Sequence, residues 1–187
     1  MTTFVGIGMT GMLLPCVMQI LAHDQLLDVV LVSRRAPDLR GLSVKDRTRV
    51  RHLPCDYADP EQRKHCACEL AKLTGVELVI AWVHSNAPHA LEELLEHVDF
   101  CNDAAVLQVF GSAASRPESN AFYRDHDALF SDDKRFLYQK VVLGFEVSSG
   151  RSRWLTHSEI SGGVFKAWQS GSSHVVVGVV EPWSSRP

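Results

Sequence analysis

Short apolar runs separated by amphipathic stretches of helical length recur along this chain. Residues 28–33, 77–84 and 104–110 are almost continuously apolar, as strands buried on both faces of a parallel sheet must be. Residues 4–7 and 50–53 are shorter candidates of the same kind. Over residues 12–23, Leu13, Leu14, Val17, Ile20 and Leu21 fall on one broad helical face. Pro15 fits that helix only if it starts near Met12, with the proline in its first turn, or is kinked there. Asp59 as cap and Pro60 at the first helical position open a second helix, whose apolar stripe is Cys66, Leu70 and Leu73. Residues 90–98 read as a third. Residues 136–147 alternate in part and predict a long sixth strand, followed by a hairpin-like turn at 148–150. Thr156 and Glu159 have the spacing of a capping box and open a helix carrying Ile160, Val164, Phe165 and Trp168. Gly162 and Gly163 inside it each cost about 1 kcal/mol relative to alanine, so close packing or backbone approach is expected there. Residues 175–180 are a last strand. This alternation predicts an α/β fold: a doubly wound, mostly parallel sheet of six or seven strands with right-handed crossovers. Residues 135–187 complete that sheet as a strand-helix-strand unit within one domain spanning 1–187.

Composition narrows the function classes. With 187 residues, 45% of them apolar, the chain can bury one good core. A formal net charge of -3 gives no basic surplus for a polyanion, so nucleic acid is not the expected partner. Five cysteines without a C-x-x-C pair point to free thiols in a reducing, cytoplasmic setting. Cys66 and Cys68, two apart on a helix, face opposite sides and cannot share a metal, and no metal site is expected. The apolar N-terminal stretch lacks a basic flank and is broken by glycines, unlike a signal peptide. No run of about 18 apolar residues predicts a membrane span.

Chemistry concentrates at the ends of the predicted strands. Gly6, Gly8 and Gly11 fit the G-x-G-x-x-G spacing after a first strand. It allows a tight turn and a backbone close enough to cradle a pyrophosphate at the following helix N-terminus. Thr10 and Met12 complete that Rossmann-like turn. Glycines kept for turn geometry alone are the competing reading. The second strand ends in Ser33, Arg34 and Arg35, where the ribose 2'-position of a dinucleotide lies. Two guanidiniums and a hydroxyl suit the 2'-phosphate of NADP(H) over NAD(H); an exposed basic loop is the alternative. Asp56 and Tyr57 follow the third strand, where an Asp can reach an adenine amino group or simply cap a turn. Trp82, Val83 and His84 end the fourth strand beside the expected ribose and nicotinamide, His84 as an acid, a substrate anchor or a turn residue.

A fifth strand ending at Gly111 and Ser112, after a glycine turn, an arginine at the second strand and an aspartate at the third, resembles the short-chain dehydrogenase/reductase superfamily. The segments around 143–157 and the Glu181, Pro182, Trp183 ending are similar to small bacterial proteins of that group. The resemblance implies that Ser112 helps polarise a substrate carbonyl. That family's Tyr-x-x-x-Lys pair is missing: Tyr57, Tyr123 and Tyr138 are followed four residues on by Glu61, Asp127 and Val142. Between Ser115 and the sixth strand there is room for only a short helix. The expected function is NADP(H)-dependent reduction of a small carbonyl, enone or imine, with His84, Ser112 and Tyr123 as candidate catalytic groups and Tyr138 as a further lining residue. The alternative is a non-enzymatic NADP(H)-binding sensor or partner subunit. A small-molecule substrate is the expected partner, and a homo-oligomer is compatible with this class.

Overall fold

A computed structural model describes residues 2–84, 87–116, 121–148 and 150–187. The chain runs β1 (Thr3–Ile7), α1 (Leu14–His23), β2 (Asp28–Ser33), α2 (Val44–Arg47), β3 (Val50–Pro54), α3 (Pro60–Leu70), β4 (Val76–Ala81) and α4 (Ala90–Leu95). It continues with β5 (Phe100–Gly111), α5 (Ala121–Ser131), β6 (Leu137–Leu143), β7 (Phe145–Ser148), β8 (Arg151–Trp154), α6 (His157–Ser170) and β9 (His174–Val177). Seven strands form one sheet in the order β3-β2-β1-β4-β5-β6-β9. Every pairing in it is parallel.

The two faces of the sheet carry separate apolar layers. Val17 and Ile20 of α1 and Ile160 and Val164 of α6 pack with Phe4, Leu31, Leu78 and Ile80 on one face. Cys66 and Leu70 of α3, Leu91 and Leu94 of α4 and Phe130 of α5 pack with Val5, Ile7 and Val79 on the other. Phe4, Ile7, Leu31, Leu78 and Ile80 are fully buried, and each such side chain stabilises the fold by roughly 1.5–3 kcal/mol. Cys66 is buried while Cys68 is exposed, as their spacing requires.

Several boundaries differ from the pattern for identifiable reasons. α1 starts at Leu14, so Pro15 falls in its first turn and needs no kink. The fourth strand ends at Ala81; Trp82 N-H still donates to Ile7 carbonyl at 2.8 Å before the chain leaves the sheet. The third helix stops at Leu95, and the fifth strand begins earlier than expected, at Phe100. The helix after Ser115, expected to be short, is α5 with 11 residues.

The long sixth strand is two strands, broken at Gly144. A Cβ on Gly144 would lie 2.1 Å from the Val179 carbonyl oxygen. Phe145 and Val179 exchange both backbone hydrogen bonds at 2.9 Å. The crossing segment therefore takes over the partners of the sixth strand, and β7 leaves the sheet to form an antiparallel hairpin with β8. Ser149, in the expected hairpin turn, lies outside the described residues. β9 likewise stops at Val177, because Gly178 (φ 78°) turns the chain where a Cβ would sit 2.7 Å from Phe145 carbonyl oxygen.

Candidate functional site

β1 lies between β2 and β4, and the strand order reverses there. In such sheets the loops after the two central strands part and leave a crevice at their carboxyl ends. A cleft of about 280 Å³ occupies it. Gly8 and Thr10 line it from the first turn, Ser33, Arg34 and Arg35 from the end of β2, Tyr57 from beyond β3, and Trp82 and His84 from beyond β4. A larger hollow of about 490 Å³ lies against α4 and the end of α5. Glu92, Glu93, Glu96 and Asp133 line that one together with Arg135, which pairs with Asp133, so carboxylates outnumber cations there.

The first turn is built from three glycines with different constraints. A Cβ on Gly6 would meet Leu31 Cδ2 at 2.7 Å, inside the core. Gly8 has φ 73° and a Cβ there would lie 2.2 Å from Trp82 carbonyl oxygen, so turn and packing both demand glycine. Gly11 is exposed, with nothing within 4 Å of an added Cβ. Among the described residues, the N-H groups of Thr10, Gly11 and Met12 make no backbone hydrogen bond. Open space and free amides ahead of α1 are what a pyrophosphate requires. Met12 reaches the turn only through its backbone, its carbonyl accepting from Ser161 Oγ of α6 at 2.7 Å.

At the end of β2 the three residues divide. Ser33 is 5% exposed. Its hydroxyl donates to Arg35 carbonyl at 2.7 Å and meets His52 Nε2 at 3.1 Å, which holds the turn at the edge of the cleft. Arg34 and Arg35 are exposed. Among the described residues, neither guanidinium has a carboxylate partner, whereas Arg40, Arg49, Arg63, Arg135 and Arg153 each do.

Other expected residues are tied up structurally. Tyr57 donates its hydroxyl to Val32 carbonyl at 2.9 Å, and burial pushes its phenol far above the ordinary range, so it forms a wall and not an acid. Asp56 accepts from Ala58 N-H at 3.0 Å, which is the turn reading, and does not line the cleft. Val83 is buried with α4 and the other apolar layer, away from the cleft. Its neighbours Trp82 and His84 both line it, their rings meeting edge to face at 5.3 Å. Tyr138 is also removed from the site: its hydroxyl donates to Gln108 Oε1 at 2.9 Å deep in the sheet, and burial raises it strongly.

The three candidate catalytic residues do not form one hydrogen-bonded group among the described residues. His84 sits in the cleft with Trp82. Ser112 lies beyond β5 in a single 3-10 turn (Ser112–Ser115), 3% exposed. Its Oγ accepts from Arg186 Nε at 2.9 Å. Tyr123 of α5 packs edge to face on Phe110. Burial raises the Tyr123 phenol, and the charge of Arg186 opposes that rise. Arg186 is the residue missed in the sequence. It belongs to a stretch with no periodicity and meets Ser112 across 74 positions, a contact no local pattern announces.

No protein-family model and no characterised protein sequence matches this chain. Solved structures do match its fold. A short-chain dehydrogenase from Sphingobium yanoikuyae in complex with NADPH is similar over 98% of this chain and 91% of that one, at TM-score 0.69 and 14% identity. An NADH-dependent reductase complexed with NAD is similar over 95% of each chain, at TM-score 0.67 and 13% identity. The bulky-bulky ketone specific alcohol dehydrogenase from Comamonas testosteroni is similar over 97% of this chain and 89% of that one, at TM-score 0.65 and 12% identity. At such identities the likeness concerns the backbone: a Rossmann-like sheet in the arrangement of short-chain dehydrogenases and reductases.

Proposed function

We propose, from a fold shared with short-chain dehydrogenases and reductases, that this chain is an NADP(H)-dependent reductase of a small carbonyl, enone or imine. The observation that carries the reading is the pair of guanidiniums, Arg34 and Arg35, on the lip of the cleft beyond β2 with no carboxylate partner among the described residues. A 2'-phosphate would neutralise them with charge-assisted hydrogen bonds, and an NAD ribose would leave both charges unanswered. The pyrophosphate would lie over Gly11 against the N-terminus of α1, and Trp82 would flank the ribose.

The cofactor's part is hydride transfer. The protein's part would be to hold a carbonyl oxygen and deliver a proton. Ser112 would donate its hydroxyl proton toward that oxygen, since its Oγ already accepts from Arg186. The proton would come from His84 or Tyr123. No lysine follows a tyrosine at the fourth position, so the phenol lacks the cation that usually makes it acidic.

Titration with NADPH and NADH should give the tighter Kd for NADPH. Arg34→Ala should reduce that preference by about 10- to 100-fold, the loss expected for a hydrogen bond between charged groups. Equal affinities in the unaltered protein would refute the cofactor reading. In a screen for NADPH oxidation, Ser112→Ala or His84→Ala should lower turnover by about 10² to 10⁴. A second reading, an NADP(H)-binding protein without catalysis, is favoured by the near-complete burial of Ser112. It becomes the better one if the cofactor binds and no carbonyl, enone or imine is reduced.

A further inference from the structure

We propose that Arg186 is a substrate-anchoring residue and that it selects carbonyl substrates bearing a carboxylate beside the reacting centre. The proposal rests on the reductase reading only in taking Ser112 as the contact of the reacting carbonyl. Beyond Gly178 the chain crosses Phe145, makes a 3-10 turn at Trp183–Ser185 and returns to the carboxyl end of β5. The guanidinium arrives there held on three sides. Nε donates to Ser112 Oγ at 2.9 Å. The Trp154 ring of β8 lies 5.0 Å from the guanidinium carbon and the Trp183 ring 5.1 Å. Arg116 lies over the same Trp183 ring at 4.6 Å.

This arrangement has a chemical direction. Among the described residues no carboxylate pairs with Arg186, although Arg153, next to Trp154 in β8, is paired with Glu159. Aromatic faces bind a guanidinium through its plane and leave its in-plane donors available. Ser112 engages one of five such donors. The remaining edge matches the two coplanar oxygens of a carboxylate, which it can bind bidentately. Because Ser112 Oγ accepts from Nε, its own proton is directed elsewhere, toward an oxygen beside the bound carboxylate. A 2-oxo or 3-oxo carboxylate carries a ketone oxygen close to its carboxylate, so Ser112 and Arg186, 2.9 Å apart through Oγ and Nε, could each take one of the two groups. Tyr123, whose phenol feels the charge of Arg186, lies on the same side.

The four tryptophans allow a direct test that needs no turnover. With indole-¹⁵N-labelled protein, NADP⁺ should shift the Trp82 resonance, which reads the cofactor site. Pyruvate or acetoacetate, added with NADP⁺ present, should shift Trp154 and Trp183 saturably. Trp168, packed on His23 and Phe165, should stay in place and report an intact fold. Hydroxyacetone, a neutral ketone of the same size, should bind at least about tenfold more weakly, as should either acid to Arg186→Ala, while Arg186→Lys should recover part of the loss. Failure of Trp82 to respond would count against the cofactor reading alone. If Trp82 responds but neither acid moves Trp154 and Trp183, or if Arg186→Ala binds them unchanged, the anchoring role is wrong. If Arg186→Ala instead binds hydroxyacetone more tightly and the acids no worse, the tail is a plug over Ser112, which also overturns it.

Discussion

Gly8 and Gly11, three positions apart in one turn, obey different constraints. Gly8 combines a positive φ with a carbonyl 2.2 Å from where a Cβ would sit. Replacing it strains the backbone and pushes Trp82 aside, so Gly8→Val should lower the thermal midpoint and any binding loss would follow from damage to the fold. Gly11 has open space around it and no positive φ. Gly11→Val should keep the circular dichroism spectrum and melting temperature near those of the unaltered protein. It should still weaken NADPH binding at least about tenfold, by placing a side chain over the amides that face the phosphates. Retained binding in Gly11→Val would move the phosphates away from this turn.

At the scale of one element, α6 shows how adjacent glycines can differ. The helix is opened by a capping box, Thr156 accepting from Glu159 N-H and the Glu159 carboxylate accepting from Thr156 N-H. Arg153 and Thr156 hold that carboxylate down to about 2. Because this value is below the ordinary one, the cap's contribution is present above the unfolded pKa and is lost as pH falls through the folded one. Further along, a Cβ on Gly163 would lie 2.2 Å from Val177 Cγ1, so β9 can approach α6 only over a glycine. Gly162 has nothing within 4 Å. Gly162→Ala should therefore stabilise the protein by about 0.5–1 kcal/mol in denaturant unfolding, the usual helix-propensity gain. Gly163→Ala should destabilise it by roughly 1–3 kcal/mol through overpacking. Equal effects at the two positions would contradict the observed helix-to-strand approach.

Across the whole molecule, a buried polar chain links sheet, helix and loop. Tyr138 of β6 donates to Gln108 Oε1 of β5, and Gln108 Nε2 donates to His126 Nδ1 of α5 at 2.9 Å. His126 Nε2 donates to Pro88 carbonyl at 2.6 Å, beyond β4. These partners require the neutral ring with its proton on Nε2. Burial lowers the His126 pKa below its ordinary value of 6.5; Pro88 carbonyl, Glu92 and Asp127 oppose that shift, and His89 adds to it. The unfolded chain thus takes up a proton near pH 6.5 that the folded one resists. Stability should decline as pH falls below that point, down to the lowered folded pKa. Urea unfolding at pH 7.5 and 5.5 should show this decline. His126→Asn should be less stable at pH 7.5 by about 1–3 kcal/mol, with a smaller difference between the two pH values. An unchanged difference would place the acid sensitivity elsewhere.

The strand and helix order, the glycine turn and the basic pair after β2 were legible in the sequence because each is written within a few consecutive residues. Continuous apolar runs, helical periodicity and Asp59 with Pro60 as a helix start are local signals, and β2 has the expected bounds, residues 28–33. Side-chain partners were decided by tertiary structure. Alternation along an extended segment sends Val83 into the core and its neighbours Trp82 and His84 to the cleft, a choice that a shift of one residue would invert. Tyr138 reads as a lining residue until β5 supplies Gln108 as its partner, and Ser112 gains Arg186 as a partner only through the packing of the distant tail. Gly144 breaks the sixth strand because Val179, 35 positions later, crosses it. Contacts of this kind depend on how distant segments pack across the sheet, and no period in the chain encodes them.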